Sequence, residues 1–199
     1  MNYLAHAYLS FKQPEILVGN MISDFVKGKQ KLIYNKGIQD GIQLHRNIDA
    51  FTDAHPATLE ARKVFQPYVR LYAGAFVDII YDHFLALDQK ERSEEAWLLF
   101  SRETYTTLDE YANSLPERFS QMLYYMQRDN WLFNYRYRWG IQNSFEGLIR
   151  HAKYLTDDHR KPVFKAFEQE YATLRDCYEK FFPCIKSFVI NHQLLKGSR

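Results

Sequence analysis

Gly41-Ile42-Gln43-Leu44-His45-Arg46-Asn47-Ile48-Asp49-Ala50-Phe51-Thr52-Asp53 is the stretch on which the reading of this chain turns. At 100° per residue from Ile38, the side chains of Ile38, Ile42, Leu44, Ile48 and Phe51 fill one apolar arc of a helix. His45 and Asp49 fall inside that arc, while Gln39, Asp40, Gln43, Arg46, Asn47 and Asp53 take the opposite side. An imidazole and a carboxylate one turn apart therefore point into the protein, where an unpaired charge is costly or its pKa moves. Two readings follow: a buried hydrogen-bonded pair, or two ligands of one metal ion.

The rest of the composition suits a helical protein. The 199 residues hold 15 Tyr, 15 Phe and 3 Trp but only 8 Gly and 6 Pro, which favours long helices with short connections over a turn-rich β-fold. A net charge of +2 excludes a globally basic nucleic-acid binder. Lys27, Lys29, Lys31 and Lys36 nevertheless make a local basic run, read either as a solvated loop or as a partner-binding face. Cys177 and Cys184 have no spacing for zinc or a disulfide framework, so reduced thiols are expected. Met1–His6 lacks a basic n-region and is not read as a signal peptide. No stretch approaches a membrane span of about 20 apolar residues, and a cytoplasmic protein is expected.

Along the chain, residues 2–11 form a short lead-in carrying His6, and a helix is predicted from Pro14 to Lys27, stopped by Gly28. The helix of the opening stretch runs from Ile38 to about Phe51. Asp53 is expected to cap the next, which starts at Pro56 and ends near Phe65. Residues 72–87 are apolar on every side and so central, which buries Asp78, Asp82 and His83 or sets them on a cavity. Amphipathic helices are predicted over 94–111, 116–127, 141–152 and 157–182, with Pro183 breaking or kinking the last. No repeat or linker divides the chain, which gives one all-α domain over 1–199.

Inward-facing ligand types then recur on three helices: Asp24 with Asn20, His45 with Asp49, and Asp78 with Asp82 and His83. Each has a plain alternative as a cap or a buried polar group, and the coincidence of three favours a metal centre. Mixed nitrogen and oxygen donors suit Mn²⁺, Fe²⁺ or Zn²⁺, and an excess of carboxylates leans toward Mn²⁺. Arg46, about 100° round from His45, is either a surface ion-pair residue or a fork for a phosphate. His55, His151, His159 and His192 have no such setting. No glycine-rich phosphate loop or nucleotide fingerprint is present.

Met1-Asn2-Tyr3-Leu4-Ala5-His6, Gly19-Asn20-Met21-Ile22-Ser23-Asp24-Phe25-Val26-Lys27-Gly28, the 41–53 stretch and Asp78-Ile79-Ile80-Tyr81-Asp82-His83-Phe84-Leu85 together resemble the bacterial acyl carrier protein phosphodiesterases. The resemblance continues more loosely through Trp131-Leu132, Tyr135, Ile141-Gln142 and Phe182-Pro183. It implies a divergent relative of the all-helical HD-domain phosphohydrolases, although the usual adjacent His-Asp order is reversed in Asp82-His83 and absent after His45. It further implies Mn²⁺-dependent hydrolysis (Fe²⁺ or Mg²⁺ being the other ions considered) of the bond joining 4′-phosphopantetheine to holo-acyl carrier protein. On that reading His6, Asp24, His45, Asp49, Asp78 and Asp82 surround metal, with Asn20 and Asp53 orienting them. Asp24, His45, Arg46 and His83 take part in the reaction, and Lys27, Lys29, Lys31 and Lys36 meet the acidic carrier. No nucleic acid or membrane partner is expected. The alternatives are a phosphohydrolase of another small phosphoester or nucleotide, and a helical binder of an acidic partner that does no chemistry.

Overall fold

The computed structural model describes residues 1–197, with side chains described through Asn191; His192 lies beyond them. The described residues form helices joined by turns, without a strand: α1 Tyr3–Tyr8, α2 Pro14–Ile22, α3 Lys36–Ala54, α4 Pro56–Val69, α5 Ala73–Leu87, α6 Glu94–Glu110, α7 Glu117–Arg128, α8 Trp131–Asn134, α9 Arg138–His151, α10 Arg160–Gln169 and α11 Tyr171–Gly197. The all-α expectation is met. No helix among the described residues is long and apolar enough to cross a membrane.

The chain divides into two compact units. One comprises residues 3–49 and 85–134. In it α1 and α6 pack on α2, and Leu4, Ala5, Val18, Met21, Ile42, Ile48, Leu108 and Phe119 are buried to the last few per cent. Two glycines set the closest approach. A Cβ on Gly19 would lie 2.0 Å from the Ile38 carbonyl oxygen, and one on Gly41 would lie 2.3 Å from that of Ile16. Backbone meets backbone between α2 and α3, and any side chain there would hold them apart. Asn35 starts α3, its Oδ1 accepting from the Ile38 amide at 2.9 Å while its Nδ2 donates to Glu15 at 2.7 Å.

The other unit comprises residues 1–2, 50–84 and 135 onward. Here α4 packs against α10 and α11, and the aromatic residues form the core. Phe65, Phe76, Phe145 and Phe167 are fully buried in stacked and edge-to-face pairs, and Tyr81 stacks on Phe181 at 4.8 Å. Both cysteines are free, Cys177 buried and Cys184 exposed.

Several expected boundaries move. The helix from Pro14 stops at Ile22, and residues Ser23–Phe25 tighten into a 3₁₀ turn that brings Asp24 to the surface. Pro183 does not interrupt α11; the break falls at Glu170. Losing one helical hydrogen bond to proline costs about 3 kcal/mol. Here the apolar stripe Leu174, Tyr178, Phe181, Ile185 and Val189 stays buried on both sides of the proline, and that burial outweighs the loss. Pro67 is carried inside α4 in the same way. Asp53 does not cap α4. His55 does, its Nδ1 accepting from the Ala57 amide at 3.2 Å, while Asp53 stays within α3 and pairs with Arg62.

Candidate metal centre

The close approach of Gly19 to α3 decides the geometry of the polar cluster that follows it. Because the two backbones touch, the main-chain carbonyl of Asn20 reaches His45 and accepts from its Nδ1 at 2.7 Å. The Asn20 side chain turns the other way. Its Nδ2 donates to the His6 carbonyl at 2.8 Å and to Ser10 Oγ at 3.0 Å, which leaves Oδ1 facing His6 Nδ1 at 2.8 Å. A carbonyl can only accept, so the amide orientation is forced and with it the tautomer of His6, protonated at Nδ1. One asparagine thus holds the Nδ1 edges of both imidazoles and turns their Nε2 atoms to the same side.

What those Nε2 atoms face is anionic. His6 Nε2 lies 3.2 Å from Asp49 Oδ1; His45 Nε2 lies 3.0 Å from Asp49 Oδ2 and 3.2 Å from Asp24 Oδ1. The rings stack with centroids 3.9 Å apart and planes 12° from parallel. His6 Nε2 is buried and has no hydrogen-bonding partner, since its lone pair confronts a carboxylate oxygen. A lone pair set against a carboxylate oxygen is repulsive, and a cation between the donors would relieve it. His6, His45 and Asp49 each offer a ligand atom within 4.8 Å of the others and could hold a metal ion; among the described residues they are the only group of three or more that does so.

The electrostatics agree. Burial, helped by the neighbouring His45, pushes His6 down to about 4. Burial also opposes the imidazolium of His45, but hydrogen bonds to Asp24 and Asp49 and their charges overcome it and lift the group to about 9. Asp49 is held well below the usual carboxylate range: burial would raise it, and the hydrogen bond from His45 prevails. The hydrogen bond from His45 lowers Asp24 as well. The metal-free cluster is therefore a neutral imidazole stacked on an imidazolium, with two carboxylates beside them.

The other expected site residues are placed as follows. Arg46 donates from Nη2 to the Val26 carbonyl at 3.2 Å, tying α3 to the end of the turn that carries Asp24. Asp53 is engaged with Arg62 in the aromatic unit instead of orienting a ligand. Asp78, Asp82 and His83 also belong to that unit. Asp78 lies 3.0 Å from the amino terminus and Asp82 is wholly buried. His83 has both ring nitrogens engaged, Nδ1 donating to the Tyr135 carbonyl at 2.7 Å and Nε2 lying 3.0 Å from the Tyr171 hydroxyl. Lys27 and Lys29 are exposed and Lys31 half-buried on a 3₁₀ turn, Gly28–Ile33, whereas Lys36 pairs with Asp40 at 2.8 Å. Ser10, Gly19 and Gly41 are contributions that sequence patterning passed over. Gly19 directly before Asn20 and Gly41 one helix turn before His45 were the available signal.

A helical fold with a two-histidine, two-carboxylate cluster defines an all-α protein whose site could bind a metal ion. The comparisons are more specific. The family model for acyl carrier protein phosphodiesterase matches residues 1–185. Proteins named acyl carrier protein phosphodiesterase are 31% identical in Photorhabdus laumondii over 184 residues, covering 92% of both chains. One in Enterobacter sp. strain 638 is 31% identical over 195 residues, covering 98% of this chain and all of the relative. In Escherichia coli O157:H7 the identity is 30% over 187 residues, covering 92% and 94%. No solved structure matches the chain with significance. The chain belongs to the acyl carrier protein phosphodiesterase family.

Proposed function

We propose that this protein hydrolyses the phosphodiester joining 4′-phosphopantetheine to a serine of holo-acyl carrier protein, releasing phosphopantetheine and apo-carrier, and that it does so with a divalent cation. Family membership along the chain supports the substrate. The observation that carries the chemistry is the buried, unpartnered Nε2 of His6, aimed with that of His45 at one carboxylate. His6, His45 and Asp49 would hold the ion, and Asp24, exposed on its 3₁₀ turn, completes the set from the solvent side. Two imidazoles with carboxylates suit Mn²⁺ or Fe²⁺ among biological cations.

When bound, the cation supplies Lewis acidity toward the phosphoryl oxygens and activates water. The protein's share is orientation. Asn20 fixes both histidine tautomers before any ion arrives, so no rotamer need be reset on binding. Arg46 anchors the turn of Asp24 through Val26, and its other guanidinium hydrogens remain for non-bridging oxygens. In the net reaction one oxygen of water bonds to phosphorus, the phosphorus–serine oxygen bond breaks, and the serine oxygen regains a proton. Asp78, Asp82 and His83, with their partners in the other unit, are not assigned to this step.

Incubating the purified protein with holo-carrier and Mn²⁺ should release phosphopantetheine, followed by mass spectrometry of the carrier. Asp24→Ala and His45→Ala should each remove most of that activity while helicity stays. Hydrolysis of a nucleotide panel without release from the carrier would replace the substrate. Full turnover in either variant would remove the assigned ligands.

A further inference from the structure

The turn between α2 and α3 shows a feature that the charge pattern alone does not explain. Leu32 is 61% and Ile33 80% exposed, side by side at the end of the Gly28–Ile33 turn. Their backbone is not loose. The Lys27 amide donates to Gln30 Oε1 at 2.9 Å, Gln39 Nε2 donates to the Tyr34 carbonyl at 2.7 Å, and Asn35 is bonded to Glu15 and to α3. Two large apolar side chains are thus presented to water on a braced support. Lys27, directly before the turn, and Lys29 and Lys31 within it precede them, and none has an ion-pair partner among the described residues. Lys36, beyond the pair, is neutralised by Asp40.

We propose that Leu32 and Ile33 are the apolar anchor of the surface on which the protein substrate docks, and that the substrate covers them with an acidic face bearing an apolar side chain of its own. The inference rests on the reading of the substrate as a carrier protein. Position supports it. The turn begins three residues after Phe25, the end of Asp24's own 3₁₀ segment, and it rises about 2 Å per residue, so the pair stands on the order of 10 Å along from Lys27. A protein interface of ordinary size buries about 800 Å² per partner and spans roughly 30 Å. A partner whose reacting phosphodiester lies at His6, His45 and Asp49 meets Asp24 beside them, and the turn starts four residues beyond Asp24. Charge chooses the partner: three uncompensated lysines favour an acidic surface and speed its arrival, while desolvated apolar contact is what lengthens the stay.

The test measures holo-carrier turnover and, in parallel, hydrolysis of bis(p-nitrophenyl) phosphate. Replacing both residues, Leu32→Ser with Ile33→Ser, should raise KM for the carrier about tenfold or more and leave kcat within about twofold. The small diester should be hydrolysed as by the wild type. The KM defect should persist at ~0.5 M salt, whereas that of Lys29→Glu with Lys31→Glu should fade as salt screens it. Ile33→Ser alone, at the more exposed position, should move KM in the same direction and guards against misfolding of the pair. A wild-type KM in the Ser variants overturns the anchor. A wild-type enzyme that cleaves the small diester but releases no phosphopantetheine overturns the carrier reading itself, and the two failures are distinct.

Discussion

The imidazoles of His6 and His45 lie face to face, 3.9 Å apart and nearly parallel, with both Nε2 atoms turned toward the carboxylate of Asp49. Stacking of this kind brings together two groups that repel when both are charged, and their pKa values lie apart, His6 near 4 chiefly through burial and His45 near 9 through Asp24 and Asp49, which overcome its burial. A cation shared by the two nitrogens and Asp49, the group that could hold one, would replace that opposition with three favourable contacts.

A cation should therefore stabilise the fold by mass action. At a free Mn²⁺ concentration about a hundred times its dissociation constant, binding adds about 2.7 kcal/mol. For a chain of this size that is a rise in Tm of about 5–10 °C. Thermal unfolding with Mn²⁺ and with chelator reads it directly. Equal Tm values under the two conditions would dismiss the cluster as a metal centre, and His45→Ala should lose the increment.

Asn20 is fully buried and holds both rings. Asn20→Ala removes the acceptor for His6 Nδ1 and the donor to the His6 carbonyl and Ser10. The His45 bond, made to the main-chain carbonyl, remains. Metal affinity should drop about 10–100-fold, the usual cost of losing a group that orients a ligand. Co²⁺ titration followed by visible absorption gives the constant. An unchanged value would mean the stacking alone orients His6.

Gly19→Ala tests the backbone contact beneath the site. The new Cβ would stand 2.0 Å from the Ile38 carbonyl oxygen, against backbone that cannot rotate away. Pushing α2 off α3 should cost about 1–3 kcal/mol of stability, and it should also lengthen the Asn20 carbonyl contact to His45. Denaturant unfolding measures the first effect and Co²⁺ affinity the second. A variant as stable as wild type would show that the helices have room to part.

The pH dependence of stability should carry the mark of His83. Burial lowers it to about 4, although the hydrogen bond to Tyr135 resists this, so the folded protein keeps it neutral where the unfolded chain, near 6.5, takes a proton. Its contribution is complete above pH 6.5 and is lost as pH falls from 6.5 toward 4, at up to about 1.4 kcal/mol per pH unit. His83→Gln should flatten this limb of the urea-midpoint profile relative to wild type. A profile of identical steepness would show that His83 titrates normally.

The helical class and the burial of His45 were legible because a 3.6-residue period needs nothing beyond local sequence, whereas Asp49, placed inward by the same period, is 40% exposed. Asn20 beside His6 was legible only in outline, from residue types and resemblance. The weaker predictions share a cause. Asp82 and His83 are buried as their helix demands, while Asp78 is only half-buried, but burial does not name the partner, and Tyr135 and Tyr171, which His83 meets, lie 52 and 88 residues away. Asp53 reads as a cap because capping is local, yet Arg62 claims it. Pro183 reads as a break because the proline penalty is visible in sequence, whereas the buried stripe that outweighs it is decided by what α11 packs against. The exposure of Leu32 and Ile33 has no periodic signature at all.

Every donor of the cluster, with the asparagine that orients two of them, lies within residues 6–49, although the unit that encloses them also needs residues 85–134. Ribosomes add roughly 5–20 residues per second and emit the N-terminal end first. The growing chain thus carries its complete set of donors for several seconds before the helices that shield them have been made. Loop closure over so short a span is entropically mild, so the order of assembly during synthesis is donors first and walls second. Chains stalled near residue 90 should already retain Co²⁺ more weakly than chains stalled past residue 140 but more strongly than a His45→Ala chain of equal length. Retention absent until the longer length would reverse that order.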